Sequence, residues 1–242
     1  METARRAAHL MGDNFPEKGR VRLYIWEWPV RITHWVIFLS IVILTVTGYY
    51  LYFPFLTSKA SHHFVTGWMR FVHEVTGFVF IAALIVRMYW FFAGNKWARW
   101  QQFLPLGRRR FADFKAQLAY YMFLRREPPF SVGHNPLAGL TYMIIFFLMF
   151  VEVLTGLALF QHVQPNKTLG YFINWLPGLI AFRYLREIHF FIMMALWAFF
   201  IHHVYSAILI GLEERSGLVK SIFTGYKFFP GKKLNEDARR ER

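Results

Sequence analysis

The sequence predicts an all-α integral membrane protein, a bundle of four helices with both termini in the cytoplasm. Three observations predict it. The 242 residues are 56% hydrophobic and 20% aromatic, and only 17% are charged, against roughly a quarter in soluble domains. The apolar residues are gathered into runs. No Asp, Glu, Lys or Arg occurs from Ile32 to Ser58 or from Ile188 to Leu212, and each run exceeds the ~20 residues that cross a hydrocarbon core ~30 Å thick. Finally, the basic residues lie mostly between the runs, so the net charge of +14 is explained by topology. No arginine-rich groove or stacking-aromatic module accompanies it, which excludes a nucleic-acid partner.

The elements follow in order. Residues 1–29 form an arm in which Asp13, Pro16 and Gly19 break any regular pattern, and Tyr24, Trp26 and Trp28 suit a membrane interface. The first helix is expected at 30–53, with Pro54 at its exit. A short loop with Lys59, His62 and His63 leads to a second helix at 68–92, which contains Glu74 and Arg87. A long basic loop follows, carrying Arg108, Arg109, Arg110, Lys115, Arg125 and Arg126. Within it Phe111 to Leu124 reads as a short amphipathic helix lying on the membrane surface.

Asn135 and Pro136, a favourable cap and a proline at the first helical position, open a third helix at 136–160 that is interrupted by Glu152. A loop with Pro165, Gly170 and Pro177 leads to the fourth helix at 186–212, and residues 213–242 form a charged tail. Together these make one membrane domain over 1–242. The first apolar run begins about 30 residues in and is too long for a signal-peptide core, so no cleavage is expected. The arm, the long loop and the tail are rich in Lys and Arg, whereas the first connection offers only Lys59. The positive-inside rule therefore places both termini in the cytoplasm, with helices one and three running outward and two and four inward.

Cysteine is absent. That excludes disulfides, thiolate-held iron–sulfur clusters and covalent c-type haem, so any redox group must hang on histidine or methionine. Four of the ten histidines lie near ends of the expected helices: His34, His73, His189 and His203. Ionisable side chains at membrane depth are costly and mark function. His189 and His203 are 14 residues apart, which at ~100° per residue leaves them within about 40° on one face and ~21 Å apart along the axis. His202 points about 140° away from His189 by the same count, so His203 is the candidate. The topology then pairs His34 with His203 near the cytoplasmic side and His73 with His189 near the outer side. Two trans-helical imidazole pairs suit the two axial positions of haem iron. Two ligands per depth without carboxylate or thiolate partners fall short of a tetrahedral zinc site.

Arg-x-x-His recurs at Arg31/His34, Arg70/His73 and Arg186/His189. At i, i+3 the pair shares a face, and these arginines are candidates for haem propionates. Fourteen residues on from His34 stands Gly48, level with the outer pair, and the same count from His73 gives Arg87, level with the inner pair and a fourth propionate candidate. Thr47-Gly48, Thr76-Gly77 and Thr155-Gly156 repeat one motif on three helices. Gly48 and Gly77 give room for a flat macrocycle to approach the backbone. A haem-free membrane anchor or channel is the reading from another class.

The stretch from Arg31 through Thr33, His34, Trp35, Ser40, Leu44 and Val46 to Thr47 and Gly48 closely resembles the first-helix signature of the b-type cytochrome subunit of membrane-bound [NiFe] uptake hydrogenases. His189 through Trp197, and Phe199 to His203, is similar to the second signature with its 14-residue spacing. It departs at Glu187, where a small residue is usual, and at Phe190, where a basic one is. The resemblance covers essentially all four helices, and the cytochrome subunits of formate dehydrogenase and thiosulfate reductase share the architecture and are the alternative.

The resemblance implies a multi-pass protein of the bacterial inner membrane, anchoring the small (iron–sulfur) and large ([NiFe]) subunits of a periplasmic hydrogenase. It implies two non-covalent b-type haems and quinone as electron acceptor in a respiratory chain, with hydrogen activation left to the partner. His134 and Asn135, at the cytoplasmic entry of the third helix, are the candidates for the quinone site; Asn135 is also read as a plain helix cap. Glu152 is read as an interhelical hydrogen-bond partner or a proton relay.

Overall fold

The computed structural model describes residues 19–55 and 64–240. Most of the amino-terminal arm, with Asp13 and Pro16, and the loop residues Lys59, His62 and His63 lie outside the described residues, as do residues 241 and 242. Four helices are long and apolar enough to cross a membrane. They are α1 (Trp28–Tyr52), α2 (Val65–Ala93), α4 (Pro136–Val163) and α7 (Phe182–Glu214). At ~1.5 Å per residue even α1, with 25 residues, reaches about 37 Å. The chain separates into two compact units, Ile32–Trp90 with Thr141–His202, and Met1–Arg31 with Phe91–Leu140 and His203–Arg242.

The first unit holds the middles of all four long helices. Ile37 of α1, Phe80, Ala83 and Leu84 of α2, Ile145 and Met149 of α4, and Ile192 and Leu196 of α7 form one buried cluster. The recurring four-residue spacing is that of a helical face, so each helix gives one stripe to a shared core. The other faces stay apolar but exposed: Phe71, Ile85, Phe147 and Phe191 are each more than half accessible. So much exposed apolar surface is unfavourable in water, at about 25 cal/mol per Å². It is the expected surface against lipid, where every backbone polar group is satisfied within a helix. Between α4 and α7 the chain forms α5 (Lys167–Ile173) and α6 (Trp175–Leu179). Asn166 caps α5, its side chain accepting from the Leu169 amide at 3.1 Å. Ile173 and Leu176 of these short helices bury against Ala158 and Leu185.

The second unit was expected as an arm, a loop and a tail, and it is more ordered than that. Strand β1 (Arg20–Tyr24) pairs antiparallel with β2 (Tyr226–Pro230), with Tyr24 opposite Tyr226. Just past the pair, the Ile25 and Trp26 amides both donate to the Gly225 carbonyl, at 2.8 and 3.1 Å. Gly225 has φ +86, and a Cβ there would sit 2.7 Å from the Trp26 oxygen, so glycine is required. Trp26 Nε1 donates to Ser221 Oγ at 2.9 Å on α8 (Leu218–Thr224), and α9 (Gly231–Arg240) ends the described chain.

The surface helix α3 (Arg108–Tyr121) starts three residues earlier than expected and stops three earlier. It buries Gln117 and leaves Phe111, Leu118, Tyr121 and, just beyond, Phe123 exposed, an outward apolar stripe that suits the bilayer interface. Arg110 ties its start to the loop, donating to the carbonyls of Gln102, Leu104 and His134.

Lys227 is the unusual member of this unit. It is 3% exposed, donates to the Val132 and Gly133 carbonyls at 3.4 Å, and lies over the Trp26 ring at 5.5 Å. Burial pushes its ammonium from near 10.5 down to about 8, with Glu214 opposing the fall. The folded chain thus binds fewer protons than the unfolded chain between those values, and stability rises with pH there. Below pH 8 both states are protonated and the burial penalty is fully present. The expected gain from pH 8 to 10.5 is on the order of 3 kcal/mol at ~1.4 kcal/mol per unit. Thermal unfolding in detergent checks it: the midpoint should rise over that window in the wild type, and the rise should shrink in K227M.

Candidate functional site

Two of the four singled-out histidines face each other across the first unit. His73 stands on α2 and His189 on α7, with ring centroids 6.4 Å apart and ring planes at 67°. They line a cavity of about 450 Å³ together with Gly48, Gly77, Gly156, Arg70, Arg186 and Glu152. Each imidazole leans on a neighbouring helix. Thr47 Oγ1 of α1 lies 2.9 Å from His73 Nδ1, and Thr155 Oγ1 of α4 lies 2.9 Å from His189 Nδ1. A Cβ at position 48 would be 3.0 Å from His73 Cε1, and one at position 156 would be 3.1 Å from His189 Cε1. The glycines are therefore where a neighbouring ring needs the room. Gly77 borders the same cavity, with nothing beyond its own helix within 4 Å of a Cβ built on it among the described residues.

These residues fit a b-type haem. Metal–imidazole bonds are about 2.0–2.1 Å, so two rings on opposite sides of one metal ion have centroids on the order of 6–6.5 Å apart. The observed separation falls in that range before any group is placed. The donor set is two imidazoles and no thiolate, which suits a haem iron held without covalent attachment. Arg70 and Arg186 line the cavity from its exposed side, where acidic substituents of a macrocycle would meet water.

Two carboxylates were not placed in the site by the sequence. Glu152 Oε2 lies 3.3 Å from His189 Nδ1 and is buried with no hydrogen-bond partner among the described residues, so it stands beside a ligand candidate without the interhelical hydrogen bond expected of it. Glu74 accepts from Gln164 Nε2 at 2.9 Å and also lines the cavity. The threonine hydroxyls were missed as well: the Thr-Gly repeat was read for its room alone, although a hydroxyl stands one residue before the glycine in all three copies.

The other candidates are placed as follows. His34 is half-buried on α1, edge-on to Trp35 with centroids 5.3 Å apart. His203 is half-buried on α7 whereas His202 is exposed. His34 and His203 fall in different compact units. Arg87 is buried in the first unit with its guanidinium 5.4 Å from the Phe146 ring centre. Arg31 is buried in the second, over the Trp28 ring at 4.1 Å and donating to the Phe223 carbonyl. Its Nε is buried with no hydrogen-bond partner among the described residues.

His134 is held between the rings of Trp26 and Phe103, each centroid 4.8 Å away. It borders a second cavity of about 350 Å³ lined by Gln102, Arg108, Arg109, Asp113 and Asp237. Asn135 is a helix cap, its Oδ1 accepting from the Ala138 amide at 2.7 Å.

Comparison with known proteins agrees with this picture. Residues 25–225 match the family model described as prokaryotic cytochrome b561. The chain is 34% identical over 224 residues to the "Probable Ni/Fe-hydrogenase B-type cytochrome subunit" of Bradyrhizobium diazoefficiens, covering 87% of this chain and 88% of that protein. It is 33% identical to the protein of the same description from Rhodobacter capsulatus, over 92% and 90%. It is 30% identical to the "Probable Ni/Fe-hydrogenase 1 B-type cytochrome subunit" of Escherichia coli K12, over 84% and 90%. With the four apolar spans, the match over most of the chain assigns it: this protein belongs to the prokaryotic cytochrome b561 family and is a multi-pass b-type cytochrome of the bacterial inner membrane.

Proposed function

We propose that the chain is the di-haem cytochrome subunit of a [NiFe] hydrogenase, working as one domain that anchors the small and large subunits and carries electrons from their iron–sulfur clusters to quinone. The observation that carries this reading is the pair His73 and His189, two imidazoles from different helices facing across one cavity at 6.4 Å between ring centres. The names of the relatives, all hydrogenase B-type cytochrome subunits, supply the partner.

His73 and His189 hold the outer haem, and His34 with His203 hold the inner one. When bound, each haem supplies a one-electron iron couple. Arg70 and Arg186 neutralise the outer propionates. Arg87 does the same for the inner haem, as does Arg31 through its buried Nε, which has no hydrogen-bond partner among the described residues. Gly48 and Gly77 keep the cavity wide enough for a flat ring.

At the cytoplasmic entry of α4, His134 serves quinone as hydrogen-bond donor and proton carrier. Its ring is gripped by Trp26 and Phe103, and the polar cavity beside it admits water. Asn135 contributes from the same turn while capping α4. Hydrogen activation belongs to the partner, because a chain without cysteine has no thiolates for a nickel site.

The test is to purify the complete hydrogenase complex and measure b-type haem by pyridine haemochrome, then follow haem reduction by hydrogen with and without a quinone analogue. Two haems per copy of this chain, reduced by hydrogen and reoxidised by quinone, are expected. A complex that passes electrons to quinone while lacking haem absorbance would overturn the proposal.

A further inference from the structure

We infer that Thr47 and Thr155 set the tautomer of the two outer imidazoles, fixing the proton on Nδ1 so that Nε2 is the nitrogen offered to iron. This rests on the proposal that His73 and His189 are haem ligands. It extends that proposal to residues on the two helices that carry no outer ligand, α1 and α4.

A hydroxyl has one proton and two lone pairs. Thr47 Oγ1 lies 2.8 Å from the Ile43 carbonyl and 3.3 Å from that of Leu44, so its proton is directed back into α1. What it turns toward His73 Nδ1, 2.9 Å away, is a lone pair. Nδ1 must then be the donor. Thr155 repeats the arrangement on α4: its Oγ1 is 3.0 Å from both the Val151 and Glu152 carbonyls and 2.9 Å from His189 Nδ1.

A neutral imidazole has one N–H. With it committed to Nδ1, the lone pair is on Nε2.

The following glycine completes the device. Among the described residues, the nearest atoms that a Cβ at position 48 or 156 would meet beyond its own helix belong to His73 and His189 respectively, Cε1 nearest in both. Threonine thus sets the proton, and glycine lets the ring edge between the two nitrogens lie against the helix. The two copies share this contact, α1 presenting Thr-Gly to the ligand on α2 and α4 presenting Thr-Gly to the ligand on α7, while His189 Nδ1 has in addition the Glu152 Oε2 at 3.3 Å. The third copy is different. Among the described residues a Cβ at Gly77 would meet nothing beyond its own helix within 4 Å, which makes Thr76 a built-in control.

The experiment uses the whole complex carrying T47V or T155V, which keep the shape of the side chain and remove the hydroxyl, with T47S, T155S and T76V beside them. Haem content, the midpoint potential of the outer haem and its low-spin electron paramagnetic resonance signal are measured. Loss of a partner that orients a metal-bound histidine costs about 10–100-fold in affinity, so T47V and T155V should lose outer haem under dilution in detergent. In the haem retained, the potential should rise, because an imidazole with a weaker Nδ1 bond gives less charge to ferric iron. The serine variants should restore both, and T76V should match the wild type.

If T47V and T155V keep their haem, potential and resonance signal, the threonine role is wrong even with two haems in the wild type. If T76V shifts the outer haem as far as they do, helix packing explains the effect and the role is again wrong. If H73A and H189A both retain two haems, the ligand proposal itself has failed.

Discussion

An H189A chain is expected to assemble in the membrane with one b-type haem in place of two. The bundle should survive because its shared core uses other residues: α7 contributes Ile192 and Leu196, not His189. What is lost is one of the two imidazoles that would hold the outer haem, the ring that Thr155 contacts at 2.9 Å. His73 would then face an enlarged cavity with no nitrogen opposite, and a single imidazole leaves a b-type haem held by packing and propionates. Pyridine haemochrome per chain should fall by half, and the remaining haem should keep its spectrum. H73A should give the same product. The double variant should be no worse than either single, since both remove one shared site and such effects are not additive. An unchanged spectrum in both single variants would sink the pairing.

How much of this was legible in the sequence depends on how local each feature is. The spans and the Asn135-Pro136 start of α4 depend on neighbours in the chain, and they were readable. The sequence reading starts α7 at Arg186. The helix in fact runs from Phe182, and Arg183 reaches Glu187 one turn on at 3.9 Å. A helix does not end where the hydrocarbon does. The meeting of His73 with His189 could be anticipated from topology, because the positive-inside rule sets the direction of each helix and so brings the start of α2 and the start of α7 to the same side. Which atoms of Thr47 and Thr155 meet those rings could not, since it depends on how each helix is rotated against its neighbour. The β1–β2 pair was illegible for another reason. Each strand has five residues, their partners stand about 200 positions apart, and Lys227 reads as a solvated charge until the fold buries it. His134 shows both cases: its place at the entry of α4 was clear, and its seat between Trp26 and Phe103 was not.

The second large effect concerns the other proposed pair and discriminates between two adjacent residues. H203A should abolish hydrogen-driven quinone reduction while leaving the outer haem reducible by hydrogen, and H202A should behave as wild type. Neighbouring helical positions differ by ~100° in direction, so both cannot face one partner. His203 is half-buried and His202 exposed, and only His203 continues the face of His189 after 14 residues. The supporting partners of a metal ligand alone are worth about 10–100-fold, so deleting the ligand should cost at least the upper end of that range in turnover. The split readout carries the argument. If electrons enter at the His73/His189 haem and leave at the His34/His203 haem, hydrogen should still bleach the oxidised outer haem in H203A within the mixing time, and added quinone should fail to reoxidise it. H34A should give the same trapped state from the other helix. A chain in which H202A, and not H203A, trapped the electron would place the inner ligand about 100° round α7 from the face proposed, and the two-depth pairing would fall with it.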